Sequence, residues 1–396
     1  MRMRPSLIIT LGLLSGLTPF AIDLYLPSLP SIARDLGSSM EMAQLSVTLY
    51  LAVFALSQVF MGPLSDMLGR RATLGAGLLL FVIGALGCAL AGRMETLFGM
   101  RILQAIGGAA VAVTVPALVR DLFERDHYAR VIGLVMMIMS LAPLVAPTIG
   151  GLVLSYADWP WVFVTLFGIG MVAGLLFLWV IPETLPPEHR HPSHLGQVLS
   201  NYRQLLSHRR SLGYLLTGAG TFAAMMTFIV ASPYVYIVLY GVPIAFFGVL
   251  FGANVAAAMV VTAINTRLVM RLGAERLLRF GLRVQMMAAL VLLALAWMGS
   301  PPLWALLLAI LLNQGMAGMV LGNAMAAYMT LFPRLAGTAS ALSGAVRFGF
   351  GATIGSLVSL GHNGTANPLL LGMALSGLLA VGSYWLLCQP EPAPSR

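Results

Sequence analysis

The chain has 396 residues, of which 59% are hydrophobic and only 9% are charged, and its formal net charge is +9. Soluble domains carry roughly a quarter charged residues, so this composition excludes a pair of soluble domains and predicts a polytopic helical membrane protein. The positive charge comes from arginine alone, mostly in short segments between apolar runs, which argues against the solvated basic patch of a nucleic-acid-binding protein.

Apolar runs of about 20 residues recur along the whole sequence, as crossing a ~30 Å hydrocarbon core with α-helices requires. The first run continues past the length of a signal-peptide core, and no small-residue cleavage site follows it, so we expect an uncleaved first helix. The predicted fold class is all-α integral membrane. Its twelve predicted membrane-spanning helices lie at residues 6–26, 44–64, 72–91, 96–119, 130–154, 161–181, 212–239, 244–270, 276–298, 303–331, 337–360 and 368–387.

The segment 62–71, Gly-Pro-Leu-Ser-Asp-Met-Leu-Gly-Arg-Arg, separates the second run from the third and predicts a turn between two antiparallel helices. Loops on the far side of the membrane from the N-terminus contain only Arg34 and Arg93. Because cytoplasmic loops retain Lys and Arg, both termini are predicted to be cytoplasmic. The loops on the side of the N-terminus contain Arg70, Arg71, Arg120, Arg125, Arg190, Arg203, Arg209, Arg210, Arg267, Arg271 and Arg334.

One long polar connection interrupts the series of spans and predicts two six-helix halves. The halves are predicted at residues 1–181 and 211–390, with a cytoplasmic linker at 182–210 and a cytoplasmic tail at 391–396. Within the linker, residues 195–206 are predicted to form an amphipathic surface helix. Leu-Gly-Arg-Arg after the second span is echoed by Leu-Gly-Ala-Glu-Arg after the eighth, as expected of a transporter built from related halves.

The sequence shows no pattern typical of a cofactor site or of an enzyme active site. Cys88 and Cys388 are isolated in apolar runs, which predicts neither a disulfide nor a metal site. A nucleotide-binding loop of the Gly-x-x-x-x-Gly-Lys type is impossible without lysine. The histidines lie mostly in loops, so a membrane-embedded enzyme is not indicated. We therefore expect a protein that is not an enzyme and has no cofactor and no metal.

Several motifs narrow the class further. Residues 62–71 resemble the loop between helices 2 and 3 of the major facilitator superfamily of secondary transporters. Residues 23–30, Asp-Leu-Tyr-Leu-Pro-Ser-Leu-Pro, resemble the end of the first helix in its drug/proton antiporters. Residues 101–108, beginning Arg-Ile-Leu-Gln, resemble the Arg-x-x-Gln-Gly-type motif of their fourth helix.

Two further segments resemble exporters in particular. Residues 141–151, which contain Pro143, Pro147, Gly150 and Gly151, are similar to the antiporter motif of the fifth helix, although Ala146 replaces the usual glycine. Residues 332–340, followed by Arg-Phe-Gly at 347–349, resemble the Bcr/CflA subgroup of bicyclomycin- and chloramphenicol-resistance exporters.

This resemblance implies a proton-coupled exporter of small amphiphilic drugs that works by alternating access in the bacterial inner membrane. Its expected partners are the drug, protons and the lipid bilayer, with no nucleic acid, and the expected functional unit is a monomer. The alternative left open is a proton-coupled transporter of a metabolite such as a nucleoside or an amino acid.

Asp23 and Arg101 are the predicted proton-coupling pair. Asp23 is the only carboxylate well inside a predicted span, where ionisable groups are expensive. Arg101 lies roughly 9 Å into the fourth helix at ~1.5 Å per residue, a depth comparable with that of Asp23. We expect the two to pair when Asp23 is charged and to separate when it is protonated. The alternatives are a helix-end Asp23 that touches water and a structural Arg101 held by carbonyl groups.

Three other groups of candidate residues follow from the motifs and from polarity. Asp66, Arg70, Arg71, Arg120 and Asp121 are predicted to form a cytoplasmic latch, or else simply to set topology. The prolines and glycines of residues 141–151 are predicted to seal one side of the transport route, or else simply to bend the fifth helix. Candidates for lining a substrate cavity, or alternatively for helix packing, are Tyr50, Gln58, Gln104, Phe222, Phe228, Tyr234, Asn254, Asn313, Gln314, Asn323 and Arg347. For Arg347, backbone carbonyls and an anionic ligand group both remain open as partners.

Overall fold

The structure is a computed structural model that describes residues 5–123, 125–186, 188, 195–332 and 335–388. Within these residues every regular element is a helix. The helices are α1 (Pro5–Asp23), α2 (Leu29–Asp35), α3 (Met40–Leu68), α4 (Arg70–Ala89), α5 (Met94–Leu122), α6 (Arg125–Leu154), α7 (Pro160–Val180), α8 (Leu195–Ser207), α9 (Arg209–Pro233), α10 (Ile244–Leu272), α11 (Ala274–Trp297), α12 (Leu303–Gly315), α13 (Ala317–Leu331), α14 (Ala336–Leu360) and α15 (Asn367–Leu387).

The twelve predicted spans are confirmed, since 12 helical stretches of the described residues are long and apolar enough to cross a membrane. Large apolar side chains such as Leu56, Trp179 and Met270 remain exposed on them, as expected of a surface that faces lipid. Arg190, Arg334 and the predicted tail 391–396 lie outside the described residues. The cytoplasmic location of the two termini stays a prediction.

Two of the spans contain a change of helix type. In the first, a 3₁₀ turn at Leu26–Ser28 separates α1 from α2. Pro27 has no N–H to donate to the carbonyl of Asp23 four residues earlier, so α1 ends there. In the seventh, a π-helical turn at Tyr234–Leu239 continues α9. Such interruptions are frequent at functional sites of helical proteins.

The turn predicted across residues 62–71 is wrong in its extent. α3 continues to Leu68 and α4 begins at Arg70, so Gly69 alone makes the turn, at φ 97° and ψ 155°. Gly273 adopts nearly the same conformation between α10 and α11, at φ 80° and ψ 147°. Glycine allows both turns because a side chain is strained at positive φ.

The chain forms two compact units. The first contains Met1–Ser193 and Ile229–Gly252, and the second contains His194–Phe228 and Ala253–Arg396. The predicted division into halves at a linker stays a prediction, and the observed grouping differs from it in placing the π-helical turn and the start of α10 with the first unit. In the second unit, α8 buries Leu205 completely within a hydrophobic cluster, so this amphipathic helix packs against protein.

Candidate functional site

Arg101 is a buried cation of the first unit that several groups hold in place. Its side chain is fully buried on α5. Nη1 donates to the carbonyl of Ala21 at 2.9 Å and to Oε1 of Gln104 at 2.7 Å, and Nη2 donates to the hydroxyl of Tyr25 at 3.3 Å. The carbonyl of Ala21 belongs to the last turn of α1, where helix carbonyls lack partners and a cation is favourable. Arg101 therefore stabilises the end of the first helix.

Two tyrosine rings enclose the same guanidinium. Its central carbon lies 4.5 Å from the ring centroid of Tyr25 and 4.3 Å from that of Tyr50. A planar guanidinium stacks well on aromatic faces, especially away from water. Tyr25 also shares a 3.1 Å hydrogen bond with Ser46 of α3, which holds its ring in place. Tyr50 and Gln104, both predicted to line a cavity, here contact Arg101 directly.

Asp23 is the last residue of α1 and is buried, with only 3% of its surface exposed. Its Oδ1 has no hydrogen-bond partner among the described residues. The predicted ion pair with Arg101 is not formed, because the guanidinium donates to the carbonyl of Ala21, the amide of Gln104 and the hydroxyl of Tyr25 instead. The structure thus places an unpaired buried carboxyl group at the point where the first helix is interrupted.

The fifth span packs directly against this interruption. α6 lies along α1, and its Gly150 approaches so closely that a Cβ added there would collide with the carbonyl oxygen of Leu24. A Cβ at Gly151 would lie 3.1 Å from the carbonyl oxygen of Ile244. Pro143 and Pro147 lie inside α6, which remains one helix from Arg125 to Leu154. Gly150 and Gly151 therefore allow two close backbone contacts.

We expect Gly150→Ala to impair transport severely, because the added methyl group must push α6 away from the carbonyl of Leu24. Gly133→Ala is the matched control, since Gly133 lies on the same helix and a Cβ there has no neighbour within 4 Å. The measurement is efflux per folded protein, with folding monitored by size exclusion in detergent. Equal efflux by the two variants would show that this close contact is not needed for transport.

Three residues of the predicted latch come together at the ends of α3, α4 and α5. Nη1 of Arg70 lies 2.6 Å from Oδ1 of Asp66, and its Nε lies 3.1 Å from Oδ2 of Asp121. The guanidinium also donates to the hydroxyl of Ser65 at 3.0 Å. Because the side chain of Arg70 is only 6% exposed, these pairs are less screened by water than ordinary surface pairs.

The other two latch candidates have different contacts. Arg71 donates to the carbonyl of Leu178 at 3.0 Å, and Nε of the exposed Arg120 lies 3.9 Å from Oδ1 of its neighbour Asp121. Sequence reasoning missed Glu183, whose carboxylate accepts from the backbone N–H groups of Arg70 at 3.1 Å and Arg71 at 3.2 Å. A carboxylate is favourable at the N-terminal end of a helix such as α4. The available signal was an acid just after the sixth span.

Several polar cavity candidates in the second unit form bonds between helices. Nδ2 of Asn323 donates to Oδ1 of Asn265 at 2.7 Å, and Nε2 of Gln314 donates to the carbonyl of Ala224 at 3.4 Å. The backbone carbonyl of Asn313 accepts from Gln285 at 3.5 Å. These contacts match the helix-packing alternative. Of the remaining candidates in the two units, Phe222, Phe228 and Asn254 are buried, and Gln58, Tyr234 and Arg347 are half-buried.

Glu275 is a second acid that sequence reasoning did not single out. It lies in the first turn of α11. Its carboxylate accepts hydrogen bonds from the hydroxyl of Tyr214 on α9, at 3.2 Å, and from that of Tyr384 on α15. One carboxylate therefore joins three helices of the second unit. The two tyrosines gave no signal in the sequence, because they lie far from Glu275 along the chain.

Comparison with known proteins agrees with the family resemblance that the motifs indicated. The profile of the Major Facilitator Superfamily matches residues 11–356. The chain is 35% identical over 382 residues to the "Bicyclomycin resistance protein homolog" of Haemophilus influenzae, covering 96% of this chain and 95% of that protein. It is 34% identical to the "Chloramphenicol resistance protein" of Pseudomonas aeruginosa, covering 76% of this chain and 71% of that protein.

Among solved structures, the fold is similar to a partially occluded inward-open conformation of the xylose transporter XylE from E. coli. The TM-score is 0.74 at 14% sequence identity, and the match covers 97% of each chain. At this identity the likeness concerns the fold alone.

Proposed function

The chain belongs to the major facilitator superfamily, and on that premise we propose that it exports small amphiphilic drugs in exchange for protons. The resemblance predicted from the motifs is confirmed, and the protein is a multi-pass protein of the bacterial inner membrane. The names of the bicyclomycin- and chloramphenicol-resistance relatives support drug export over transport of a metabolite. We propose a monomer as the functional unit, acting on drug and protons without catalysing a reaction and without nucleic acid.

The observation that carries proton coupling is the unpaired, buried carboxyl group of Asp23. A charged carboxylate is costly in apolar surroundings unless donors surround it. Among the described residues its Oδ1 has no such donor, and the nearby cation Arg101 is held by other groups. We therefore assign this conformation to the carrier with a proton on Asp23.

Loss of that proton would create a buried anion that needs a cation or hydrogen-bond donors. Arg101, or a polar or cationic group of the drug, would supply them. The protonated and deprotonated carriers then differ in their charge pairing, and a proton gradient can bias the carrier between its two access states through that difference. While Asp23 is protonated, Arg101 would hold the end of α1 in position.

Drug susceptibility of an efflux-deficient bacterial strain tests the proposed function. Expression of the chain is expected to raise the inhibitory concentration of several compounds in a panel of phenicols, bicyclomycin, sulfonamides and cationic dyes. The control is the same strain with the empty vector. No change for any compound, with the protein present in the membrane, would favour the metabolite transporter instead.

A further inference from the structure

Arg347 lies in the middle of a membrane-spanning helix with most of its donors unused. It is nine residues beyond Thr338, where the span that ends at Leu360 begins, and therefore roughly 14 Å along the helix at ~1.5 Å per residue. Within the described part of the chain, its Nη2 makes one long hydrogen bond, 3.5 Å to the carbonyl of Leu321, and its buried Nε makes none. A guanidinium has five N–H donors and cannot discharge. It therefore needs a further acceptor.

The described residues of the second unit offer Arg347 no free carboxylate. Glu275 is the only acidic residue of the sequence between 195 and 388. It lies in the first turn of α11, where hydroxyl groups of Tyr214 and Tyr384 occupy its carboxylate. Arg347 takes part in none of the ion pairs formed by the described residues. No acid among the described residues of its own unit is therefore the missing acceptor.

A glycine of α9 leaves space for the guanidinium of Arg347. A Cβ at Gly218 of α9 would lie 3.1 Å from Nε and 3.4 Å from Nη2 of Arg347, so the glycine leaves room for the charged group. One turn further along α9, the ring of Phe222 packs edge-on against that of Phe348, with centroids 4.8 Å apart. A cation with unused donors and a pair of aromatic rings therefore lie side by side.

We propose that Arg347 binds the anionic group of a substrate, whose aromatic or aliphatic body lies against Phe222 and Phe348. A guanidinium binds a carboxylate through two parallel hydrogen bonds, which uses the donors that the protein leaves unpaired. The inference rests on the proposed function and adds to its substrates a class of amphiphiles that carry a carboxylate or a similar delocalised anion.

Equilibrium binding to the purified full-length protein tests this assignment. The probes are nalidixate, an aromatic carboxylate, and its uncharged carboxamide, measured at neutral pH. We expect the wild type to bind the carboxylate about tenfold more tightly than the carboxamide, because hydrogen bonds to a charged group contribute that much binding free energy. Arg347→Gln is expected to lose this preference and to keep its affinity for the carboxamide. Arg283→Gln, which removes an exposed arginine of the same unit, is the matched control and is expected to resemble the wild type.

Three results would overturn the assignment. They are a wild type with no preference for the carboxylate, an Arg347→Gln variant that keeps the preference, and displacement of nalidixate by an equal concentration of chloride. If Arg347→Gln does not fold, Arg347→Lys decides in its place, because lysine keeps the charge but loses the planar fork. An unchanged preference in that variant would contradict two-pronged binding.

Failure of this inference is separable from failure of the proposed function, because binding in detergent needs no proton gradient. Proton-driven efflux of a neutral drug without anion preference would refute only the role of Arg347. Anion binding in a chain that drives no efflux would refute only the proposed function.

Discussion

Replacing Asp23 with asparagine is expected to reduce proton-driven drug efflux to the background of protein-free vesicles, while exchange of drug for drug continues. Asparagine has nearly the same shape as the protonated carboxyl group but cannot gain or lose a proton. The buried site at the end of α1 is therefore preserved in the form that we assign to this conformation. The measurement compares efflux under an imposed pH difference with exchange of labelled drug in the same proteoliposomes.

Asp35→Asn is the matched control for this prediction. Asp35 ends α2 in the same span, but its side chain is 40% exposed and lies 3.2 Å from that of Arg34. Exposed pairs of this kind contribute little free energy, so efflux by the control should equal that of the wild type. Undiminished pH-driven efflux by Asp23→Asn would remove Asp23 from the coupling scheme.

Arg101→Lys is expected to cost both stability and transport, even though it keeps the positive charge. A lysine ammonium is a compact point charge and cannot reach Ala21, Gln104 and Tyr25 together while stacking between two rings. Hydrogen bonds to a charged group contribute ~1.5–3 kcal/mol each. Loss of one or two of them should lower the melting temperature by roughly 2–7 °C. Thermal unfolding in detergent measures this effect.

Arg93→Lys provides the control, because Arg93 is the exposed residue that directly precedes α5. It should melt at the temperature of the wild type. Efflux and drug exchange of Arg101→Lys, each expressed per folded protein, separate the two roles proposed for the arginine. Equal loss of both indicates a structural cation, and selective loss of pH-driven efflux indicates coupling. A wild-type melting temperature together with wild-type efflux would contradict both.

The spans could be predicted from sequence because lipid imposes the same demand on every segment, a run of apolar residues long enough to cross it. The ends of the helices were less predictable. α3 begins at Met40, four residues before the predicted start, because Ser39 caps it by accepting from the N–H of Met42. Its far end continues past the charged residue Asp66 to Leu68, directly before Gly69. Polarity marks where a segment leaves the lipid, and helix ends depend on capping.

The candidate site was predictable in its members but not in its contacts. Burial of Asp23 and Arg101 followed from their positions in apolar runs, since each lies where water is scarce. Their failure to pair did not, because it depends on the interruption after Asp23, which leaves the carbonyl of Ala21 open to the guanidinium. At the latch, Glu183 meets the backbone of Arg70 and Arg71 only because folding brings their helices together, which residue type alone does not reveal.

Imposing a pH difference on vesicles that contain only the purified protein tests the central claim most directly. With the lumen more acidic than the medium, we expect labelled drug to accumulate inside against its own gradient while protons leave. The accumulation should collapse when an ionophore dissipates the pH difference. Drug movement at the same rate with and without that difference would contradict proton exchange as the driving reaction.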